Sequence, residues 1–119
     1  MLKIARAALA AGALLLSASC ASDLLTGGPL LREGEPIGAI DVGNASGGAI
    51  NVVLISACSA STYGLNRLPS GSAIPSGGSY RFTVSAGCWD VAAGSTTAMV
   101  EGRQRLTVAP NRATGVTFH

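Results

Sequence analysis

Few residues in this chain could perform acid–base or nucleophilic chemistry. The sole histidine is His119. The carboxylates after the first twenty residues form no spaced cluster such as HExxH or an EF-hand loop; they are Asp23, Glu33, Glu35, Asp41, Asp90 and Glu101. Serines are numerous, but no GxSxG segment is present and no internal histidine could activate one. We therefore predict no catalytic residues, no metal ligands and no cofactor, in a protein that is not an enzyme.

Cys20 follows a segment with the properties of a secretory signal. A basic start precedes residues 7–16, an unbroken run of alanine, leucine and glycine, and three small residues then lead into the cysteine. This order resembles a bacterial lipobox, although Leu16 stands one position earlier than the usual leucine. We predict a signal peptide over residues 1–19 and lipidation at Cys20. Ordinary cleavage near Ala21, with Cys20 discarded, is the alternative.

Cleavage before Cys20 would also determine charge and location. It removes two of the eight basic residues and leaves six basic against six acidic ones, so the remaining chain is formally neutral. That balance argues against a nucleic-acid partner. Ala21 after the acylated cysteine favours the outer membrane. We predict a lipoprotein of the cell envelope, held at the outer membrane and facing the periplasm; a secreted or soluble periplasmic protein is the alternative.

Cys58 and Cys88 remain as an even pair once Cys20 is assigned to the anchor. In an exported protein a disulfide is the default state of such a pair. A thiol redox site or a metal site is the alternative, but the chain has no CxxC and no histidine beside either cysteine. We predict that Cys58 and Cys88 form the only disulfide.

The segments that would position these residues are β-strands. Glycine and proline interrupt residues 20–36, which predicts a tether between the lipid and the domain. From residue 37 to 119, short apolar or alternating runs are separated by turn signals every eight to twelve residues, and the alternation is clearest over residues 80–85. We predict an all-β domain of six or seven short strands, arranged as an antiparallel Ig-like β-sandwich.

Two details of this prediction depend on local pattern. Residues 49–56 are apolar on both faces, which favours a central strand. Residues 97–100 form a weak candidate strand, and Glu101-Gly102 after them predicts a turn.

The segment of residues 57–78 is rich in serine, glycine and proline, and is long for a loop in a compact domain. Tyr63, Asn66 and Arg67 within it are our candidate partner-binding residues, because tyrosine and arginine are favoured at interfaces. Under this hypothesis, replacing Tyr63 and Arg67 together weakens partner capture and leaves the melting temperature nearly unchanged. The alternative is a loop that covers the core, for which its leucines and Ile74 are suited.

Several short motifs follow one another in a fixed order. They are Asn44-Ala45-Ser46-Gly47, Ser56-Ala57-Cys58, Tyr63-Gly64-Leu65, Pro75-Ser76-Gly77-Gly78-Ser79 with Phe82-Thr83-Val84, and Gly87-Cys88-Trp89-Asp90. This set resembles a group of small, exported, largely uncharacterised bacterial β-domains over roughly residues 40–95. The resemblance implies a secreted β-fold with a Cys58–Cys88 bridge, and it implies no activity.

Composition restricts the remaining classes of function. Only 12% of residues are charged and 48% are hydrophobic, so a highly charged disordered chain is excluded. We expect a non-enzymatic envelope domain that binds or supports a protein or polysaccharide partner. The alternatives are a small unrecognised hydrolase or lyase, and an inhibitor that presents residues 59–78 as a rigid loop.

Overall fold

The computed structural model describes residues 28–60, 62, 64–96 and 101–119. Across these residues there is no helix, and so none able to cross a membrane. The fold is all-β, as the alternating patterns predict. Its strands are β1 (Ile37–Asn44), β2 (Val52–Ala57), β3 (Ser79–Ser85), β4 (Gly87–Gly94), β5 (Glu101–Val108) and β6 (Ala113–Phe118). The predicted signal peptide, Cys20, Tyr63 and the weak candidate strand over residues 97–100 lie outside the described residues.

The strands form two three-stranded sheets. The first sheet has the order β3-β1-β6 and the second has the order β2-β4-β5. All neighbours are antiparallel except β1 and β6, which run parallel with Ala39 opposite Ala113. The prediction of a wholly antiparallel fold is therefore wrong for this pair. β1 and β6 are the first and last strands, and the chain between them passes through the second sheet, so no short turn forces them antiparallel.

Buried side chains from both sheets belong to one hydrophobic cluster. Period-two alternation places them there, because every second residue of a strand points to the same face. Ile40 and Val42 come from β1, and Val53 and Ile55 come from β2. Trp89 of β4 is the largest fully buried side chain, and its indole N–H donates to the carbonyl of Ser85 at 2.8 Å.

Two sequence-based details differ from the structure. β2 is an edge strand rather than a central one. Glu101 and Gly102 do not form a turn; they begin β5 and lie opposite Gly94 and Ala93. Gly102 is required by packing, because a Cβ built there would lie 2.5 Å from a ring carbon of Phe118. A glycine that accommodates a neighbouring ring has the same sequence signal as a glycine in a turn.

The segment of residues 58–78, which we call the β2–β3 loop, lies against the edge of β2. It forms two isolated antiparallel bridges, Asn66 with Leu54 and Ile74 with Ile50. Leu68 and Ile74 are buried in the core cluster, whereas Leu65 is 61% exposed. The loop therefore supplies apolar side chains that close the core beside the outer edge of β2.

Candidate functional site

The structure confirms the predicted disulfide. Cys58 and Cys88 are bonded, with their Cα atoms 5.5 Å apart, inside the range that an unstrained bridge needs. The backbone N–H of Cys58 also donates to the carbonyl of Cys88 at 3.3 Å. The bond fixes the start of the β2–β3 loop to the first residues of β4.

Asn66, one of the candidate partner-binding residues, directs its amide to the backbone of β2. Its Oδ1 accepts from the N–H of Val53 at 2.9 Å, and its Nδ2 donates to the carbonyl of Asn51 at 2.9 Å. The same Oδ1 accepts from the N–H of Leu68 at 3.1 Å. The side chain thus satisfies part of the strand edge as a neighbouring strand would.

Arg67, the next candidate, joins three parts of the chain. Its backbone N–H donates to Val53, and its Nη2 donates to the carbonyls of Ile55 at 2.9 Å and Gly28 at 2.6 Å. Partial burial lowers the pKa of its guanidinium, because charge is costly away from water. The side chains of Asn66 and Arg67 are therefore both hydrogen-bonded to backbone groups. The third candidate, Tyr63, lies outside the described residues.

Residues 28–36, which we call the N-terminal segment, lie at one end of the strands. The carbonyl of Leu30 accepts from Ser85 at 2.8 Å, and the N–H of Arg32 donates to the Ser85 hydroxyl at 2.7 Å. The Arg32 guanidinium stacks 4.8 Å from the centre of the Trp89 ring, a cation–π contact. Leu30 packs against the core cluster. The part of the predicted tether that the structure describes is thus in contact with the domain.

The turn after β1 is organised by Asn44, whose side chain is buried. Its Nδ2 donates to the carbonyls of Gly48 and Ile74, both at 2.8 Å, and its Oδ1 accepts from the N–H and hydroxyl of Ser46. The hydroxyl of Ser76 donates to the Ser46 carbonyl at 2.6 Å. The Asn-x-Ser-Gly motif marks this turn in the sequence, but its connection to residues 74–76 depends on tertiary contact.

Asp41 and Asp90 lie in different sheets, and each pairs with an arginine. Asp41 lies in the first sheet and accepts from Arg81 at 2.7 and 2.8 Å, and Asp90 lies in the second sheet and accepts from Arg105 at 2.8 and 3.0 Å. Each arginine lowers the pKa of its aspartate through hydrogen bonding, against a smaller effect of burial. Each aspartate is thus used in an ion pair within its own sheet.

Chemical groups suited to catalysis do not converge in the described ranges. No cluster of three His, Cys, Asp or Glu side chains there could hold a metal ion. His119 is exposed at the end of β6, and Glu35 pairs with Arg32 at 3.2 Å. Where the structure describes them, the buried polar side-chain atoms have hydrogen-bond partners. Within the described residues, the polar side chains stabilise the fold or are available for surface contacts, and they form no acid–base pair.

Comparison with protein-family models found no family that matches the chain, and comparison with curated proteins found no matching relative.

Proposed function

We propose that this protein is a lipid-anchored, non-enzymatic β-domain of the cell envelope, which binds or supports a protein or polysaccharide partner there. The observation that carries the proposal is the Cys58–Cys88 bond, since disulfides form and persist in oxidising compartments. Cys20 is then the one cysteine outside that pair, and it follows a signal-like segment.

In this proposal the two sheets form an Ig-like β-sandwich, and the domain belongs to the group of small exported β-domains that its motifs resemble. The hydrophobic cluster shared by both sheets supports a sandwich. The motif residues Asn44, Cys58 and Cys88 make contacts that stabilise the fold. Proteins that share a fold but no activity would share residues of this kind.

A binding role is favoured over hydrolysis because the candidate polar groups are used in folding contacts. Asp41 and Asp90 are each held by an arginine through two hydrogen bonds. Asn66 and Arg67 donate to backbone carbonyls of neighbouring segments. Partner contact in the loop would then come from its exposed residues, including Leu65, and from Tyr63.

The test is mass spectrometry of the mature N-terminus together with membrane fractionation of the unaltered protein and of the Cys20→Ala variant. We expect a diacylated or triacylated Cys20 and loss of membrane association in the variant. An unmodified terminus at Ser22 would exclude the anchor. Crosslinking and capture from envelope membranes then identifies the partner.

A further inference from the structure

We propose that the end of the domain formed by the N-terminal segment and the start of β1 lies on the lipid surface. The inference rests on the proposed function, since it needs the chain to be anchored at Cys20. It adds an orientation: one named end of the domain contacts the bilayer and the opposite end is presented to the periplasm.

The chain path supports this orientation. Gly28 is held by Arg67 at 2.6 Å, and only residues 21–27 separate it from Cys20. Those residues can extend at most about 28 Å between Cys20 and Gly28, so the anchor keeps this end of the domain close to the membrane. A tether this short also gives the domain a high effective concentration at the surface, so weak contacts suffice to orient it.

The exposed apolar side chains provide the second argument. Four large apolar residues of the described chain are exposed, and they are Leu31, Ile37, Leu65 and Tyr80. Leu31 belongs to the N-terminal segment. Ile37 begins β1 opposite Ser85, and Ser85 is hydrogen-bonded to Leu30 and Arg32 of that segment. Leu65 lies two residues from Arg67, the residue that holds Gly28. Leu31 and Ile37 therefore lie where the chain arrives from the anchor.

Tyr80 marks the opposite end of the first sheet. It pairs with Val42, five residues along β1 from Ile37, which corresponds to about 17 Å. Its ring also packs against that of Phe82 in a tilted arrangement, with ring centroids 4.8 Å apart. Tyr80 therefore offers a control position with a large exposed apolar side chain far from the proposed contact.

Charge does not explain the contact. The charged residues at the proposed surface are Arg32, Glu33, Glu35 and Arg112, with the partly buried Arg67 beside Gly28, so three basic residues face two acidic ones and Arg32 pairs with Glu35. Attraction to anionic headgroups therefore contributes little, and insertion of Leu31 and Ile37 among the headgroups and upper acyl chains provides the contact. We expect the same orientation on zwitterionic and on anionic bilayers, with little dependence on salt.

The experiment uses the acylated protein in nanodiscs of phosphatidylethanolamine and phosphatidylglycerol that contain a gadolinium-chelating lipid. We expect the backbone amide signals of Leu31, Ile37 and Arg112 to lose most of their NMR intensity, and those of Gly77 and Tyr80 to keep it. The double variant Leu31→Ser plus Ile37→Ser should reduce this difference to what the short tether alone imposes, whereas the control Tyr80→Ser should preserve it in full. Thermal melting of each variant confirms that it is folded.

Equal broadening at both ends, stronger broadening at Tyr80, or a difference that is undiminished in the double variant would overturn the inference and leave the anchor intact. A mature protein without acyl chains would instead contradict the proposed function. In that case the chain beginning at Cys20, coupled through that thiol to a maleimide lipid in the same nanodiscs, gives the same comparison. The orientation is then tested independently of whether Cys20 is acylated in the cell.

Discussion

Asn44 shows how one side chain can join two turns that are distant in sequence. Its amide donates to the carbonyl of Gly48 in its own turn and to that of Ile74 in the β2–β3 loop. Its backbone N–H and carbonyl bond Gly78 and Gly77, just before β3. The side-chain bonds of Asn44 to Ile74 and Ser46 are buried, so without that side chain the Ile74 carbonyl and the Ser46 N–H would lose a partner that solvent could not fully replace.

We predict that Asn44→Ala lowers the free energy of unfolding by about 3 kcal/mol, since the carbonyls of Ile74 and Gly48 and the N–H of Ser46 lose their partner. Chemical denaturation measures the change. Asn51→Ala is the matched control: among the described residues the Asn51 side chain bonds Thr96, in exposed positions, and we expect a loss below about 1 kcal/mol. Equal losses in the two variants would contradict the role given to Asn44.

The Asp41–Arg81 pair gives a second prediction at this scale. Arg81 lowers the pKa of Asp41 by hydrogen bonding, so Arg81→Gln should raise that pKa toward its ordinary value. The pair's contribution to stability is present above the ordinary pKa and is lost as pH falls through the lowered one. NMR titration of the carboxyl carbons measures the shift. Asp90, paired with Arg105 in the other sheet, should titrate unchanged.

Strands were the elements that the sequence indicated well, because alternation is a local signal. The period-two pattern over residues 80–85 corresponds to β3, in which Phe82 and Val84 are buried. The parallel pairing of β1 with β6 left no such signal, since it depends on where two distant segments meet. The edge position of β2 was equally hidden, because Asn66 and Arg67 cover that edge and allow an apolar strand there.

The candidate site was predictable in part for the same reason. The cysteine pair followed from counting and compartment, and the structure contains that bond. The contacts of Arg67 with Gly28 and of Arg32 with Trp89 join residues more than thirty positions apart, and no local pattern encodes them. Sequence alone identified the loop as unusual but could not assign its polar side chains to the strand edge.

At the level of elements, Gly38 should be the glycine of β1 that tolerates no side chain. A Cβ there would lie 2.7 Å from the carbonyl oxygen of Ala109 and 2.9 Å from that of Arg112. We predict that Gly38→Ala costs about 3 kcal/mol, because backbone atoms cannot move aside cheaply. Gly115→Ala in β6 meets no atom within 4 Å and should be neutral or stabilising by up to about 1 kcal/mol. Thermal and chemical melts of both variants test the contrast.

At the scale of the whole molecule, a disulfide and long-range hydrogen bonds connect the sheets, the β2–β3 loop and the N-terminal segment. The disulfide spans a sequence separation of 30 residues and encloses the β2–β3 loop. Removing it with Cys58→Ser plus Cys88→Ser should destabilise the fold by about 3.7 kcal/mol, through the added chain entropy of the unfolded state. Denaturant midpoints of the oxidised protein and the variant measure this, and an unchanged midpoint would show that the bond is dispensable.

Arg67 supplies a second connection, between β2 and the N-terminal segment. Arg67→Ala removes the hydrogen bonds to Ile55 and Gly28 and leaves both carbonyls without that donor. We predict a loss of about 2 kcal/mol, or several degrees in melting temperature for a domain of this size. Arg112→Ala is the matched control, because Arg112 is an exposed arginine in the turn before β6 and its loss should leave the melting temperature nearly unchanged.

The same variants separate a binding role of the loop from a structural one. A change at Arg67 that weakens partner capture would be ambiguous if it also lowers the melting temperature, since the loop edge and the N-terminal segment would both loosen. Because the contacts of Arg67 lead us to expect a lower melting temperature, the double change of Tyr63 and Arg67 would not leave it unchanged as expected from the sequence, and Tyr63→Ala should be tested alone. Capture that falls with Tyr63→Ala at an unchanged melting temperature would support partner contact by the loop. Capture that survives Tyr63→Ala, together with destabilisation by Arg67→Ala, would assign the β2–β3 loop to closing the core, and the partner would have to bind elsewhere on the domain.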